Sequence, residues 1–304
     1  MRENGFVDLQ INGNFGVDFS DPTLTDDMFM TAAEHIFASG TEFFLPTIVT
    51  SPKEVYLRNL AVIRNACEKR GLLHQVPGVH LEGPFISPVP GAVGAHRTEY
   101  VIEPDCAFFD EIMDKSGNYV KLLTVAAERP GADELIRHAS ERGVTVSCGH
   151  QMAGVDDLAA AAKAGARLLT HLGNGCPNSI NRHKNMVWAG MACDDLIAMI
   201  ITDGHHLPPE LIKCFVRVKG AERLIVTSDA APVAGFPPGR YNLWGNDAVL
   251  EPDGLYHNPE RGCLVGSSAS MRDCVHFLRS LNLLTEAEIE MVSRTNPLRM
   301  IGML

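Results

Sequence analysis

The chain has 304 residues, 45% of them hydrophobic and 21% charged, with a formal net charge of −11. That length suits one large α/β domain or two smaller ones, and the apolar fraction predicts a packed core. The acidic balance argues against a nucleic-acid partner, although a local Arg/His cluster can still hold a small anion. The eight cysteines form no C-x-x-C pair and are read as free thiols. No signal-peptide pattern precedes "GFVDLQING", and no apolar run reaches the roughly 18–20 residues of a membrane span. The expectation is a soluble cytoplasmic protein with no membrane partner.

In chain order, short apolar runs alternate with helix-like segments. The strand candidates are 6–11, 42–49, 76–81, 120–127, 144–149, 167–172, 196–202 and 223–228. These runs are continuous rather than alternating, as expected for parallel strands buried on both faces. The stretch 25–40 reads as a helix stopped at Gly40. The next, 51–71, opens on Ser51-Pro52 and ends at Gly71. Segments 131–143, 154–165 and 207–220 repeat the pattern. Eight β–α units predict a TIM-like (β/α)8 barrel, a single domain over residues 1–304. An open doubly wound sheet is the alternative, weakened because no G-x-G-x-x-G follows the first strand. Residues 231–262 break the rhythm, with many Gly and Pro and a turn signal at Pro252-Asp253-Gly254. They predict an irregular loop with a β-hairpin inserted after strand eight.

In such a barrel, reactive groups sit at the C-terminal ends of the strands. The first strand carries Asp8, Gln10 and Asn12, and the third ends in Glu82. The fifth leads to His150, and the sixth to His171 and Asn174. The seventh runs into Asp203, His205 and His206, and the eighth into Asp229. Each has an ordinary explanation alone: a lone His is usually structural, and an Asp after a strand is commonly a helix N-cap. Together, Glu82, His150, His171 and Asp229 face one mouth if the barrel forms. Two imidazoles and a carboxylate suit a catalytic zinc that keeps one position open for water. Such a metal lowers the pKa of bound water to about 7, and Asp229 is the natural proton carrier.

"GFVDLQING", "HLEGPFISP", "GAH", "THLGNGCP", "TDGHH", "TSDAAP", "GCLVGSSASM" and "TNPLRMIG" follow one another here. In this order they resemble the N-acetylglucosamine-6-phosphate deacetylases of the amidohydrolase superfamily, from about residue 5 to residue 302. The resemblance implies metal-dependent removal of the acetyl group of N-acetylglucosamine 6-phosphate. The alternatives are another acetamido sugar or a non-catalytic sugar-phosphate-binding barrel. Gln10-x-Asn12 stands where many amidohydrolases have His-x-His, as in the deacetylases that use a single metal. The implied ligands of one divalent metal, zinc first, are Glu82, His150 and His171, and the implied acid/base is Asp229. Ala95-His96 matches the pair that meets the substrate, with His96 polarising the acetyl carbonyl. Asn174-Gly175 and Leu264-Val265-Gly266 match sugar-side contacts. Arg182 and His206 match a phosphate-binding pair, and a guanidinium fork suits phosphate oxygens. In the family this phosphate site can be completed across a dimer interface, so a homodimer is implied.

Three features depart from the family pattern. Gly175 stands where Ala is more usual, and Cys176-Pro177-Asn178 replaces a common Met-Pro. Family members also carry a small β-sandwich from segments flanking the barrel. Here four residues precede Gly5, and the sequence ends at Leu304.

Overall fold

Continuous apolar strands leave two faces to bury, and the computed structural model, which describes residues 5–304, shows how both are covered. The strands are β1 (Phe6–Ile11), β2 (Thr41–Val49), β3 (Val79–Glu82) and β4 (Val120–Val125). They continue with β5 (Thr145–Cys148), β6 (Leu168–Leu169), β7 (Ile197–Ile201) and β8 (Leu224–Thr227). Each pairs in parallel with the next, in chain order. The ring closes just past β8: Ala230 bridges Ile11, and Asn12 N–H donates to the Ala230 carbonyl at 2.8 Å. The result is the (β/α)8 barrel.

Helices follow the strands in turn. They are α1 (Asp26–Ala38), α2 (Lys53–Arg70), α3 (Cys106–Ser116) and α4 (Ala132–Glu141). The second half supplies α5 (Val155–Ala164), α6 (Met186–Ala192), α7 (Pro209–Lys219) and α8 (Met271–Ser280). The side chains of Thr25, Asp105, Asn185 and Ser270 accept backbone N–H groups at the starts of α1, α3, α6 and α8. Those first-turn donors have no partner inside the helix. Gly71 ends α2 in the left-handed conformation, as its sequence position predicts.

Alternate strand residues separate into two apolar layers. Phe44, Leu81, Leu123, Val146, Ile200 and Val226 pack outward with helix residues such as Leu60, Ile63 and Leu135. Val7, Leu9, Phe43, Leu45, Leu122, Leu168, Met199 and Ile225 fill the barrel interior. Leu298 and Ile301 join this inner cluster and plug the end opposite the C-terminal mouth. The buried Asn296 amide secures the plug, donating to the Ala221 and Leu224 carbonyls at 2.8 Å.

Two expectations need correction. The sixth strand spans two residues, not 167–172, because the backbone turns to a left-handed φ of 30° at His171. The insertion is a four-stranded antiparallel sheet rather than one hairpin within 231–262. It comprises β9 (Gly239–Leu243), β10 (Asn246–Leu250), β11 (Tyr256–Asn258) and β12 (Cys263–Leu264). The turn at Pro252-Asp253-Gly254 carries the chain back along β10, and Ala248, Leu250, Tyr256 and Val265 bury together. Strands of two or three residues leave too short a pattern to recognise in sequence.

All eight cysteines are free thiols. Among the described residues, no helix is long and apolar enough to cross a membrane.

Leu122 is fully buried in the inner layer. Leu122→Ala should lower the unfolding free energy by about 2–5 kcal/mol, read as a lower urea midpoint with an unchanged slope.

Candidate active site

Four strand ends deliver the polar groups. Glu82 is the last residue of β3. His150, His171 and Asp229 lie two residues beyond the ends of β5, β6 and β8. All three have positive φ, at 48°, 30° and 53°. Non-glycine residues rarely adopt this conformation, and it concentrates at functional sites. Here it turns the chain away from the barrel while the side chain stays over the mouth.

The side chains converge tightly. Glu82 Oε1 lies 3.2 Å from His150 Nε2 and 2.8 Å from His171 Nε2, and the two nitrogens are 3.1 Å apart. His150 Nδ1 is 2.8 Å from the Ala92 carbonyl, which can only accept. Its hydrogen therefore sits on Nδ1, and the Nε2 lone pair faces Glu82. Three buried electron-pair donors aimed at one point are stable only with positive charge among them. Burial alone would raise the Glu82 pKa, but the imidazole hydrogen bonds and charges outweigh it and hold it well below the carboxylate range. Burial likewise opposes charge on His150, yet Glu82 wins and raises its pKa. The donor set thus fits a metal ion, with all three ligand atoms within 4.8 Å of one another.

A second carboxylate is tied to the first through β1. The β1–β2 register slips between Asp8 and Ile11. On that stretch, Gln10 Nε2 donates to Glu82 Oε1 at 2.6 Å and to Asp229 Oδ1 at 2.9 Å. Asn12 Nδ2 donates to the same Asp229 oxygen at 2.7 Å. Two amides therefore hold the oxygens of both carboxylates. Asp8 pins the backbone beneath, accepting from the Thr227 and Ser228 hydroxyls at 2.6 and 2.5 Å. Burial, and then the negative charge of Glu82, raise the Asp229 pKa, which suits a group that must take and return a proton.

His96 supplies a donor. Thr50 N–H donates to its Nδ1 at 3.2 Å, so neutral His96 carries its hydrogen on Nε2. Nε2 faces the site, 3.6 Å from Glu82 Oε2. Burial pushes the His96 pKa down to about 3, which keeps the ring neutral.

These groups open into a cavity of about 420 Å³, also lined by Ala95, Asn174, Gly175, His206, Leu264 and Gly266. Gly175 has φ +59°, and a Cβ there would meet His150 Nδ1 at 2.9 Å. The missing side chain at Gly175 lets this loop lie against the imidazoles. His206 Nδ1 is 2.7 Å from Asp203 Oδ2, which also accepts from the Ser267 hydroxyl. Burial disfavours a charged His206, but Asp203 overcomes it and raises the pKa.

Two expected residues lie outside this cavity. Val265 is fully buried in the core of the inserted sheet. Arg182 is exposed on the loop before α6, where its carbonyl accepts from Trp188 Nε1 at 3.1 Å. Sequence reasoning did not find Thr50 or Trp244, nor the roles of Gln10 and Asn12. Their alternation on β1 signalled the last two, whereas Thr50 and Trp244 gave no signal.

A carboxylate and two imidazoles at the mouth of a (β/α)8 barrel, beside a second carboxylate, define a metal-dependent hydrolase of the amidohydrolase class. No family model matches the chain. It is 33% identical to N-acetylgalactosamine-6-phosphate deacetylase of Escherichia coli O157:H7, over 98% of this chain and 77% of that one. It is likewise 33% identical to human N-acetylglucosamine-6-phosphate deacetylase, over 98% of this chain and 74% of that one. A variant N-acetyl-D-glucosamine-6-phosphate deacetylase from Mycobacterium smegmatis, in complex with N-acetyl-D-glucosamine-6-phosphate, superposes with a TM-score of 0.89. It is 28% identical over 98% of this chain and 77% of that one. The chain belongs to the N-acetylglucosamine-6-phosphate deacetylase family.

Removing one imidazole leaves two ligands, too few for tight binding. His171→Ala should fall from about one divalent metal per chain to well below it, measured by elemental analysis after dialysis.

Proposed function

We propose that this chain hydrolyses the acetamide of N-acetylglucosamine 6-phosphate to glucosamine 6-phosphate and acetate. The observation that carries the reading is the buried Glu82–His150–His171 group, joined to Asp229 through Gln10. A divalent cation on Glu82, His150 and His171, zinc by this donor set, would supply Lewis acidity and lower the pKa of a water to about 7. Asp229 takes the proton from the attacking water and returns it to the nitrogen as the C–N bond breaks. Gln10 and Asn12 hold the accepting carboxylate still during both transfers. His96 donates from Nε2 to the acyl oxygen as negative charge gathers there.

The sugar phosphate lies toward β6 and β7 in this reading, against Asn174, Gly175, Leu264 and Gly266. His206, protonated with the help of Asp203, faces the phosphate. Arg182, exposed and outside its own chain's cavity, fits a role across a homodimer, in the partner's site. One of the 33%-identical relatives bears the galactosamine name, which favours testing both epimers.

The test is acetate release from both acetamido-sugar phosphates, before and after chelation, with bound metal quantified. Release that stops with chelation and returns with Zn²⁺ is expected. Metal-loaded protein that frees no acetate from either sugar overturns the reading. Asp229→Asn should keep its metal and lose about 10²–10⁴-fold in kcat, the range of general acid–base catalysis.

The pH dependence follows from His206. Its raised pKa keeps it charged to higher pH than a free imidazole. KM should therefore be lowest below that pKa and rise as pH passes through it. Asp203→Asn removes the stabilising carboxylate, so the KM rise should move to lower pH in a KM–pH titration.

A further inference from the structure

A second cavity, of about 520 Å³, adjoins the first. Among the described residues, only His96 and Trp244 line both. His96 and Trp244 therefore stand where the two cavities meet. Both are held from the second side: His96 by Thr50, and Trp244 by Asp18, whose Oδ2 accepts from the indole Nε1 at 2.9 Å. The second chamber is of mixed character: Val233 and Phe236 line it together with Asp18, Asp21, Ser51 and Arg97.

The backbone under Trp244 is unusual. Leu243 pairs with Asn246, so Trp244 and Gly245 form a two-residue hairpin turn between β9 and β10. Their φ values are +52° and +76°. Turns of this kind favour Asn or Gly at the first position, and a bulky residue there is strained. The inserted sheet thus accepts backbone strain to place a large ring over the barrel mouth.

The direction of the acyl group follows from the ring order. Thr50, which holds His96, follows β2, while Asn174 and Gly175 follow β6. In an eight-stranded ring these strands stand opposite each other. A sugar seated against the β6 side leaves its acyl carbonyl toward His96, and the carbon beyond it toward the meeting of the two cavities.

Resting on the deacetylase reading, we propose that Trp244 limits acyl length, closing the site against a chamber that receives longer N-acyl chains once the indole is removed. The wild-type chain is then acetyl-selective by exclusion, not for want of space behind the indole. A methylene that meets or misses an apolar pocket is worth roughly 10–200-fold in kcat/KM.

The experiment compares N-acetyl, N-propionyl and N-butyryl glucosamine 6-phosphate with wild type, Trp244→Gly and Asp18→Ala, reading liberated amine. Trp244→Gly should raise the butyryl-to-acetyl ratio of kcat/KM by about tenfold or more, the effect of one well-placed methylene. Asp18→Ala unlatches the indole and should raise the ratio less. Glycine suits the positive φ, so the turn itself should persist in Trp244→Gly. An unchanged ratio in both variants overturns the proposal. If Trp244→Gly turns over nothing, calorimetric binding decides: a butyryl compound bound no better, relative to the acetyl one, than by wild type also overturns it. Wild type that frees no acetate from the acetyl compound rejects the deacetylase reading instead, and the binding ratio still judges the chamber.

Discussion

Everything at the mouth of this barrel answers to one electrostatic constraint. A buried carboxylate and two imidazole lone pairs point at the same small volume. Left without positive charge, such a cluster would cost several kcal/mol in desolvation and repulsion. The fold keeps it because strand pairing and core packing over-determine the positions of Glu82, His150 and His171. The left-handed backbone at two of the three is part of the same bargain. The cluster is thereby built for a cation before any cation arrives.

The constraint reaches outward through β1. Gln10 touches both Glu82 and Asp229, so the carboxylate that would hold the metal and the one that would move the proton share a single amide. One is driven down in pKa and the other up. Two carboxyl groups separated in this way can take different roles within one site. His96 has the complementary design, because a backbone N–H from the end of β2 fixes its tautomer and turns its donor inward. The inserted sheet adds shape to this chemistry. Its first turn carries Trp244 to the edge of the cavity, and the rest of the insertion supports that turn.

The fold was largely legible because barrel strands buried on both faces read as continuous apolar runs. Seven of the eight runs match their strands in position, and β1 matches at both ends. The shortfall came where backbone conformation, not side-chain pattern, set the boundary. At β6 the turn into His171 cuts the strand to two residues. In the insertion, β11 and β12 are too short to show a period. Among the site residues, Val265 shares a motif with Leu264 and Gly266 but faces the opposite way, since neighbours along an extended chain alternate sides. Arg182 has the right chemistry for phosphate, yet its loop leaves it in solvent beside its own cavity.

The sequence by itself determined the barrel and the strand ends that carry Glu82, His150, His171 and Asp229. Those follow from periodicity and residue type, which are local properties. Only the tertiary structure decided which atoms meet. It set the Nδ1–H tautomer of His150 and the Nε2–H tautomer of His96, because each depends on a backbone group distant in the chain. It also put Trp244 where the two cavities meet by latching the indole to Asp18, 226 residues away. Hydrogen-bond direction and contact across such separations are products of the closed ring, and no window of sequence contains them.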